Sequence, residues 1–227
     1  MELSALRTYR SRARRLRQKL DELLYIADSR LALPRIGSNV FPRPVDADWW
    51  WRPEVFRGPL SMHGMSSVEN KQPIGNEMAV FHDCKISELT FRQLRNTREE
   101  DLAPYGVRLD VFRFDGSFLS LAVDLPDESA ADLKRRHLIR MQTIIETEKP
   151  LEIFARLNVK HGPNTEQIVR ELPLHEEDVV VEFDLAYTKL NEKRSERMWV
   201  DLIFEGPEMN QITIRDVTFS RRPRAEL

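Results

Sequence analysis

Between Glu77 and Arg221 the chain alternates apolar and polar residues in short runs broken by turn residues, the period of two that a strand with one buried face imposes. The pattern is cleanest at Leu109/Val111, Leu119/Leu121/Val123, Ile153/Ala155/Leu157/Val159, Val179/Val181/Phe183/Leu185 and Val200/Leu202/Phe204. Every second side chain there falls on one side. The runs predict ten strands: 78–86, 88–95, 107–114, 118–125, 137–147, 151–159, 167–172, 179–187, 198–204 and 212–220. No 10–15-residue helical pattern separates them, which disfavours βαβ units and a parallel sheet. The expected fold is mainly β, an antiparallel β-sandwich of jelly-roll type. Asp115-Gly116 predicts a two-residue hairpin turn, and Gly162-Pro163-Asn164 and Gly206-Pro207 mark later turns. Residues 129–136 read as one or two helical turns.

The first 76 residues follow other rules. Leu6, Tyr9, Ala13, Leu16, Leu20, Leu23 and Ala27 recur at spacings of three and four, predicting an amphipathic helix from about Ser4 to Ser29 with Ser4 as N-cap. Arg7, Arg10, Arg14, Arg17 and Lys19 lie off the apolar stripe. Residues 1–43 hold ten Lys/Arg against four Asp/Glu, and the remainder 25 against 33, so a segment of +6 precedes a body of −8. Such a basic helix calls for a negative partner: its own body, another copy or an external polyanion. Its leucines, without Trp or Phe, favour self-association or a protein partner through residues 4–29 over a membrane surface. The acidic body and the lack of a recognised module disfavour nucleic acid.

Residues 31–76 carry six of the thirteen prolines and Trp49, Trp50 and Trp51, with no period. This segment is too apolar for a free linker, so it should strap over the body. The expected organisation is a helix over 1–30, a Pro/Trp-rich strap over 31–76 and a sandwich over 77–227. A chain of this length buries a sizeable core without staples. The single Cys84, the absence of a run of about 18 apolar residues and an arginine-rich start lead to the expectation of a cytoplasmic protein.

Three groups of residues could carry chemistry. Glu182 and Asp184, two apart on one strand, place two carboxylates on one face, as a glycoside hydrolase requires at about 5–5.5 Å for retention. The Glu-x-Asp-x-x-Glu strand of sandwich-fold β-glucanases has a second glutamate where Tyr187 stands here, so the acid/base partner is missing. His82 and Cys84 share a strand face, but His63, His137, His161 and His175 are scattered without metal-ligand spacing, so no metal and no cofactor are expected. Trp49, Trp50 and Trp51 with Arg52 form the densest aromatic cluster and are the expected ligand-binding residues, since aromatic faces stack on sugar rings. Against that, tryptophans in a proline-rich strap also serve to plug one end of a sandwich.

The segments 48–53 (Asp-Trp-Trp-Trp-Arg-Pro), 81–84 (Phe-His-Asp-Cys), 155–164, 182–187 and 214–224 together resemble an uncharacterised bacterial protein family of unknown function. The strand pattern, ending in Ile212-Thr213-Ile214 and a following aspartate, is more loosely similar to jelly-roll carbohydrate-binding sandwiches. The resemblance implies a fold but no activity. The favoured reading is a non-enzymatic binding module for a glycan-like or polyhydroxylated ligand. The alternatives are a glycoside hydrolase using Glu182 and Asp184, or a purely structural interaction domain.

Overall fold

The computed structural model of the chain describes residues 3–31, 34–174 and 178–224. After a long helix, α1 (Leu3–Leu31), come β1 (Trp49–Trp51), one turn of helix, α2 (Glu54–Arg57), β2 (Gly64–Ser66), β3 (Gln72–Ile74), β4 (Met78–His82) and β5 (Glu88–Arg95). The chain continues through β6 (Tyr105–Arg113), β7 (Leu119–Asp124), β8 (His137–Thr147), β9 (Glu152–His161) and β10 (Asn164–Glu171). It ends with β11 (Val179–Asp184), β12 (Ser195–Glu205) and β13 (Asn210–Pro223). Every pairing is antiparallel: one sheet runs β11-β8-β13-β6-β5-β2 with β1 also on β13, and the other runs β10-β9-β12-β7-β4-β3.

The apolar alternation sets the layering. Leu109, Leu121, Ile139, Leu157, Phe183, Val200, Leu202 and Phe219, with their i±2 neighbours, are buried in one core between the sheets. At roughly 1.5–3 kcal/mol for each large side chain buried, this layer is the main source of stability. The ten strands after Met78 fall where the alternation placed them. Three more, β1, β2 and β3, come from the strap and are three residues each, too short to show a period.

One turn differs from expectation. Asp115-Gly116 does not close a hairpin, because β6 pairs with β5 and β13 while β7 pairs with β12 and β4 in the other sheet. The connection crosses between sheets and is held by Asp83, whose carboxylate accepts from Ser117 N (2.6 Å), Ser117 Oγ (2.6 Å) and Phe118 N (3.2 Å). A Cβ on Gly116 would lie 2.6 Å from Asp83 Oδ1, so the glycine serves close approach rather than a hairpin. By contrast Gly162-Pro163 does join paired strands, β9 and β10, with Gly162 at φ +58°.

The strap is ordered by one buried ion pair. Arg52, at 0% exposure, donates to both oxygens of Asp216 (2.9 and 2.7 Å) and to the carbonyls of Ser38 (3.0 Å) and Val40 (3.4 Å), with its guanidinium 5.1 Å from the Phe41 ring. Asp216 follows a bulge in β13, where the register shifts between Ile214 and Asp216. Up to Ile214 the strand pairs with β6, and from Phe219 it pairs with β1. A second knot lies at the start of β1. Asp48 accepts from Arg221 Nε (2.9 Å) and stands 3.7 Å from His137 Nε2, while Arg221 also donates to the carbonyls of Ser129 (3.0 Å) and Ala131 (2.6 Å).

α1 carries the predicted stripe but does not lay it on the sandwich. Every residue from Leu6 to Leu23 is exposed. Among the described residues no helix is long and apolar enough to cross a membrane.

Two outcomes follow from the buried pairs. Arg52→Ala strands Asp216 in the interior and should cost about 3–5 kcal/mol of unfolding free energy by urea titration, whereas Arg52→Met with Asp216→Leu should recover most of it. Burial, then the Arg221 charge, depresses the His137 pKa below its ordinary 6.5. The stability it contributes is therefore present above pH 6.5 and lost as pH falls through its lower folded-state value. His137→Gln should flatten the pH dependence of unfolding free energy in that window, with up to about 1.4 kcal/mol per pH unit at stake.

Candidate functional site

The tryptophan cluster divides between core and surface because β1 alternates. Trp51 is buried and stacks on Phe219 at 6.0 Å between centroids, Trp49 is half-buried against the core, and Arg52 is locked to Asp216. A ligand has no access to Trp51 or Arg52 in this arrangement. Trp50 faces outward, 37% exposed, with the Arg43 guanidinium 3.5 Å from its centroid and so in full contact with that ring face. Glu182 and Asp184 lie on the outer face of β11 at a sheet edge. Arg222 donates to Glu182 (3.2 Å), and Asp184 accepts from Ala186 N (2.9 Å) and pairs with Arg224 (3.2 Å). The register Trp50–Ser220–Arg140–Glu182 puts Trp50 and Glu182 in one row of that face, three strand spacings or roughly 14 Å apart. Tyr187 is exposed in the turn that follows β11.

The histidines do not converge. His82 Nε2 lies 2.9 Å from the Val68 carbonyl and its Nδ1 accepts from Cys84 N, which fixes a loop, and burial pushes the Cys84 thiol up. His161 is buried beside Glu166 and accepts from Asn191 N, while His63 sits at the surface near Gln93. His175 lies outside the described residues. Among the described residues no group of three His, Cys, Asp or Glu side chains is placed to hold a metal ion.

What the fold does assemble is a groove on the outer face of the second sheet. Residues between the core positions Met198, Val200, Leu202 and Phe204 of β12 point the other way, so Arg197, Trp199, Asp201 and Ile203 face outward. Registers carry this face across the sheet: Asp124–Trp199–Asn158–Gln167 form one row, Ala79–Ala122–Asp201–Arg156 the next, and Phe81–Ser120–Ile203 the next. Ala79, Ala122 and Ser120 are small and leave a hollow between Trp199 and the aromatic pair Phe81 and Phe118. The cavity has a volume of about 580 Å³.

Its polar wall is built from groups that fix one another. Asp201 Oδ2 accepts from Arg156 Nε (3.0 Å), Arg156 Nη2 (2.9 Å) and Asn158 Nδ2 (2.9 Å), and Gln167 Nε2 donates to Asn158 Oδ1 (2.9 Å). Asp201 and Asn158 are nearly buried. At the rim Arg197 pairs with Asp124 and stands 5.5 Å from the Trp199 centroid. The two arginines balance the two aspartates. Among the described residues none donates a hydrogen bond to Asp201 Oδ1, whose partners gather on Oδ2 instead. Side chains pinned in this way on adjacent strands need little ordering when a ligand arrives.

Two other hollows are less complete. One of about 510 Å³, lined by Phe41, Leu102, Ile145 and Thr218, has its acidic groups engaged: Glu100 by Arg98, Glu146 by Arg98 and Arg215, Asp178 by Gln142 and Asp216 by Arg52. The other, about 670 Å³, lies among strap loops around Met62 and Pro73.

None of the groove residues stands out by composition. Trp199 is a lone tryptophan in a strand whose apolar partners are core, and Arg156 and Asn158 alternate with Ala155, Leu157 and Val159 in the same way. The usable sign was an aromatic at an outward position of a central strand, flanked two residues on by an aspartate.

No curated protein matches the chain. Among solved structures, similarity extends to the enzymatically active domain of tailspike protein 4 of bacteriophage CBA120, at 8% identity and TM-score 0.46, over 63% of this chain but only 19% of that one. A family 11 carbohydrate-binding module from a cellulosomal cellulase of Clostridium thermocellum aligns at 11% identity and TM-score 0.43, over 72% of this chain and 97% of that one. The same family's module in complex with a mixed-linked tetrasaccharide gives 9%, 0.40, 74% and 100%. A family model covers residues 1–227 from end to end, and the chain belongs to that family, the family of unknown function DUF6478.

Proposed function

We propose that this protein is a glycan-binding module whose site is the Trp199 groove. One observation carries the reading: an aromatic face and a set of mutually fixed planar polar groups line the same hollow on a rigid sheet. A sugar ring presents an apolar C–H face and a rim of hydroxyls, each both donor and acceptor. Trp199 suits the first, while Asp201 Oδ1, the outer edge of Arg156 and Gln167 suit the second. The charges of Arg156, Arg197, Asp124 and Asp201 cancel, which favours a neutral ligand over a polyanion. A purely apolar ligand would cover Asp201 and the Arg156 guanidinium without replacing their contacts to water. The Trp50 ring has one face covered by Arg43, which favours Trp199 as the stacking residue, and the tests below separate the two.

On a glycan array followed by calorimetry of the hits, Trp199→Ala should weaken binding by at least about tenfold, as truncation of an aromatic anchor does. Trp50→Ala should leave the affinity within about twofold. A reversal of that order would move the site to the strap, and a wild-type protein that bound no sugar would sink the reading. Arg156→Lys keeps the charge but loses the fork that orients Asp201, and should weaken binding and also lower the melting temperature, because nearly buried Asp201 loses a donor. For a neutral sugar the affinity should change by less than about twofold between 50 and 500 mM salt.

A further inference from the structure

α1 is a helix without a bed. Its apolar stripe, Leu6, Tyr9, Ala13, Leu16, Leu20 and Leu23, is spaced 3-4-3-4-3, a strict seven-residue repeat with Leu6, Ala13 and Leu20 at position a and Tyr9, Leu16 and Leu23 at position d. All six side chains are exposed, Leu16 at 61% and Leu23 at 61%. Over the stretch from Leu6 to Leu23 the helix buries no side chain and so draws little stability from its surroundings. A two-in-seven seam is the pattern another helix imposes, since knobs at a and d enter holes only when the repeat is 3.5 residues.

The flanks of the seam decide what kind of helix. Positions e and g beside the seam are Arg10, Arg12, Arg17 and Lys19, and residues 3–20 contain no acidic residue. A second copy does not fit these flanks. In a parallel pair Arg12 of one helix faces Arg17 of the other. In an antiparallel pair that layers Leu6 on Leu23, Tyr9 on Leu20 and Ala13 on Leu16, the flanks become Arg10 against Arg17 and Arg12 against Lys19. Both arrangements set like charges side by side, which weakens pairing and selects against it. An anionic lipid surface fits less well than a helix. The stripe has alanine at its centre and no Trp or Phe, and Arg7, Arg14 and Arg15 lie on the far side of the helix.

We infer that α1 is one half of a heteromeric coiled coil, and that its partner is an amphipathic helix of another protein with leucine-like residues at a and d and Asp or Glu at e and g. Seam contacts supply the affinity and the Arg10/Arg12/Arg17/Lys19 flanks choose the partner. About 18 residues of contact, from Leu6 to Leu23, span roughly 27 Å.

The test uses the full chain and synthetic probes: a four-heptad peptide with Leu at a and d and Glu at e and g, the same peptide with Lys at e and g, and a shuffled peptide of the acidic composition. The acidic heptad peptide should bind with 1:1 stoichiometry in fluorescence anisotropy and weaken at high salt. Leu16→Glu and Leu20→Glu should each reduce its affinity at least tenfold while leaving the sandwich melting transition unchanged. Failure of the acidic peptide to bind, or equal binding of the lysine or shuffled peptide, would overturn the inference. So would a light-scattering dimer of the chain alone that Leu16→Glu dissociates. Binding to phosphatidylglycerol vesicles that Leu16→Glu abolishes, without binding of the acidic peptide, would assign the stripe to a lipid surface instead.

Discussion

The contact between Arg52 and Asp216 is the buried charged joint between the strap and β13, beside the β1–β13 pairing and the Asp48–Arg221 ion pair. Asp216 is where β13 leaves β6, and Arg52 directly follows β1, the strand that takes over as β13's partner. A guanidinium at 0% exposure is tolerable only with its donors filled, and it fills them from a carboxylate and the carbonyls of Ser38 and Val40. Burial pushes the Asp216 carboxyl up, and the Arg52 charge and its hydrogen bond pull the other way. Its value lies in position: it ties the strap, through Ser38, Val40 and Arg52, to the point where β13 emerges from its bulge. Gly106 belongs to the same junction, since a Cβ there would meet the Ile214 carbonyl at 2.8 Å.

The two sheets then have separate tasks. The outer face of the β1-bearing sheet meets the strap, which places Arg43 over Trp50. The outer face of the other sheet is left open, and its side chains organise one another instead. A nearly buried aspartate and asparagine can sit on an open face only because Arg156 and Gln167 complete their hydrogen bonds. The same network that makes them tolerable also holds them in place. The chain thus carries two surfaces of different physics, a charge-neutral groove on the sandwich and an exposed apolar seam with basic flanks on α1.

The sandwich was legible in the alternation because a strand with one buried face has no other pattern available. Leu119/Leu121/Val123 and Val200/Leu202/Phe204 name the core and, by subtraction, name Trp199 and Asp201 as outward. The groove was not legible, because its residues come from β4, β7, β9, β10 and β12 and become neighbours only through registers such as Trp199↔Asn158 and Asp201↔Arg156. Trp49, Trp50 and Trp51 drew attention by density. Alternation along β1 turned one of them into core and one outward, and Arg52 went to Asp216, a partner 164 residues away. The Asp115-Gly116 turn misled for a similar reason: a local turn preference cannot tell whether the next strand joins the same sheet.

Side-chain spacing along single elements is enough to specify the period-two strands, their core faces, and a helix with a seven-residue seam and basic flanks. Which strands are neighbours, that the seam from Leu6 to Leu23 stays uncovered, and that Trp199 shares a hollow with Asp201, Arg156 and Asn158 emerge only once the chain is folded. Those are contacts between distant segments, set by register and by the bulge at Asp216, and no local preference along the chain encodes them.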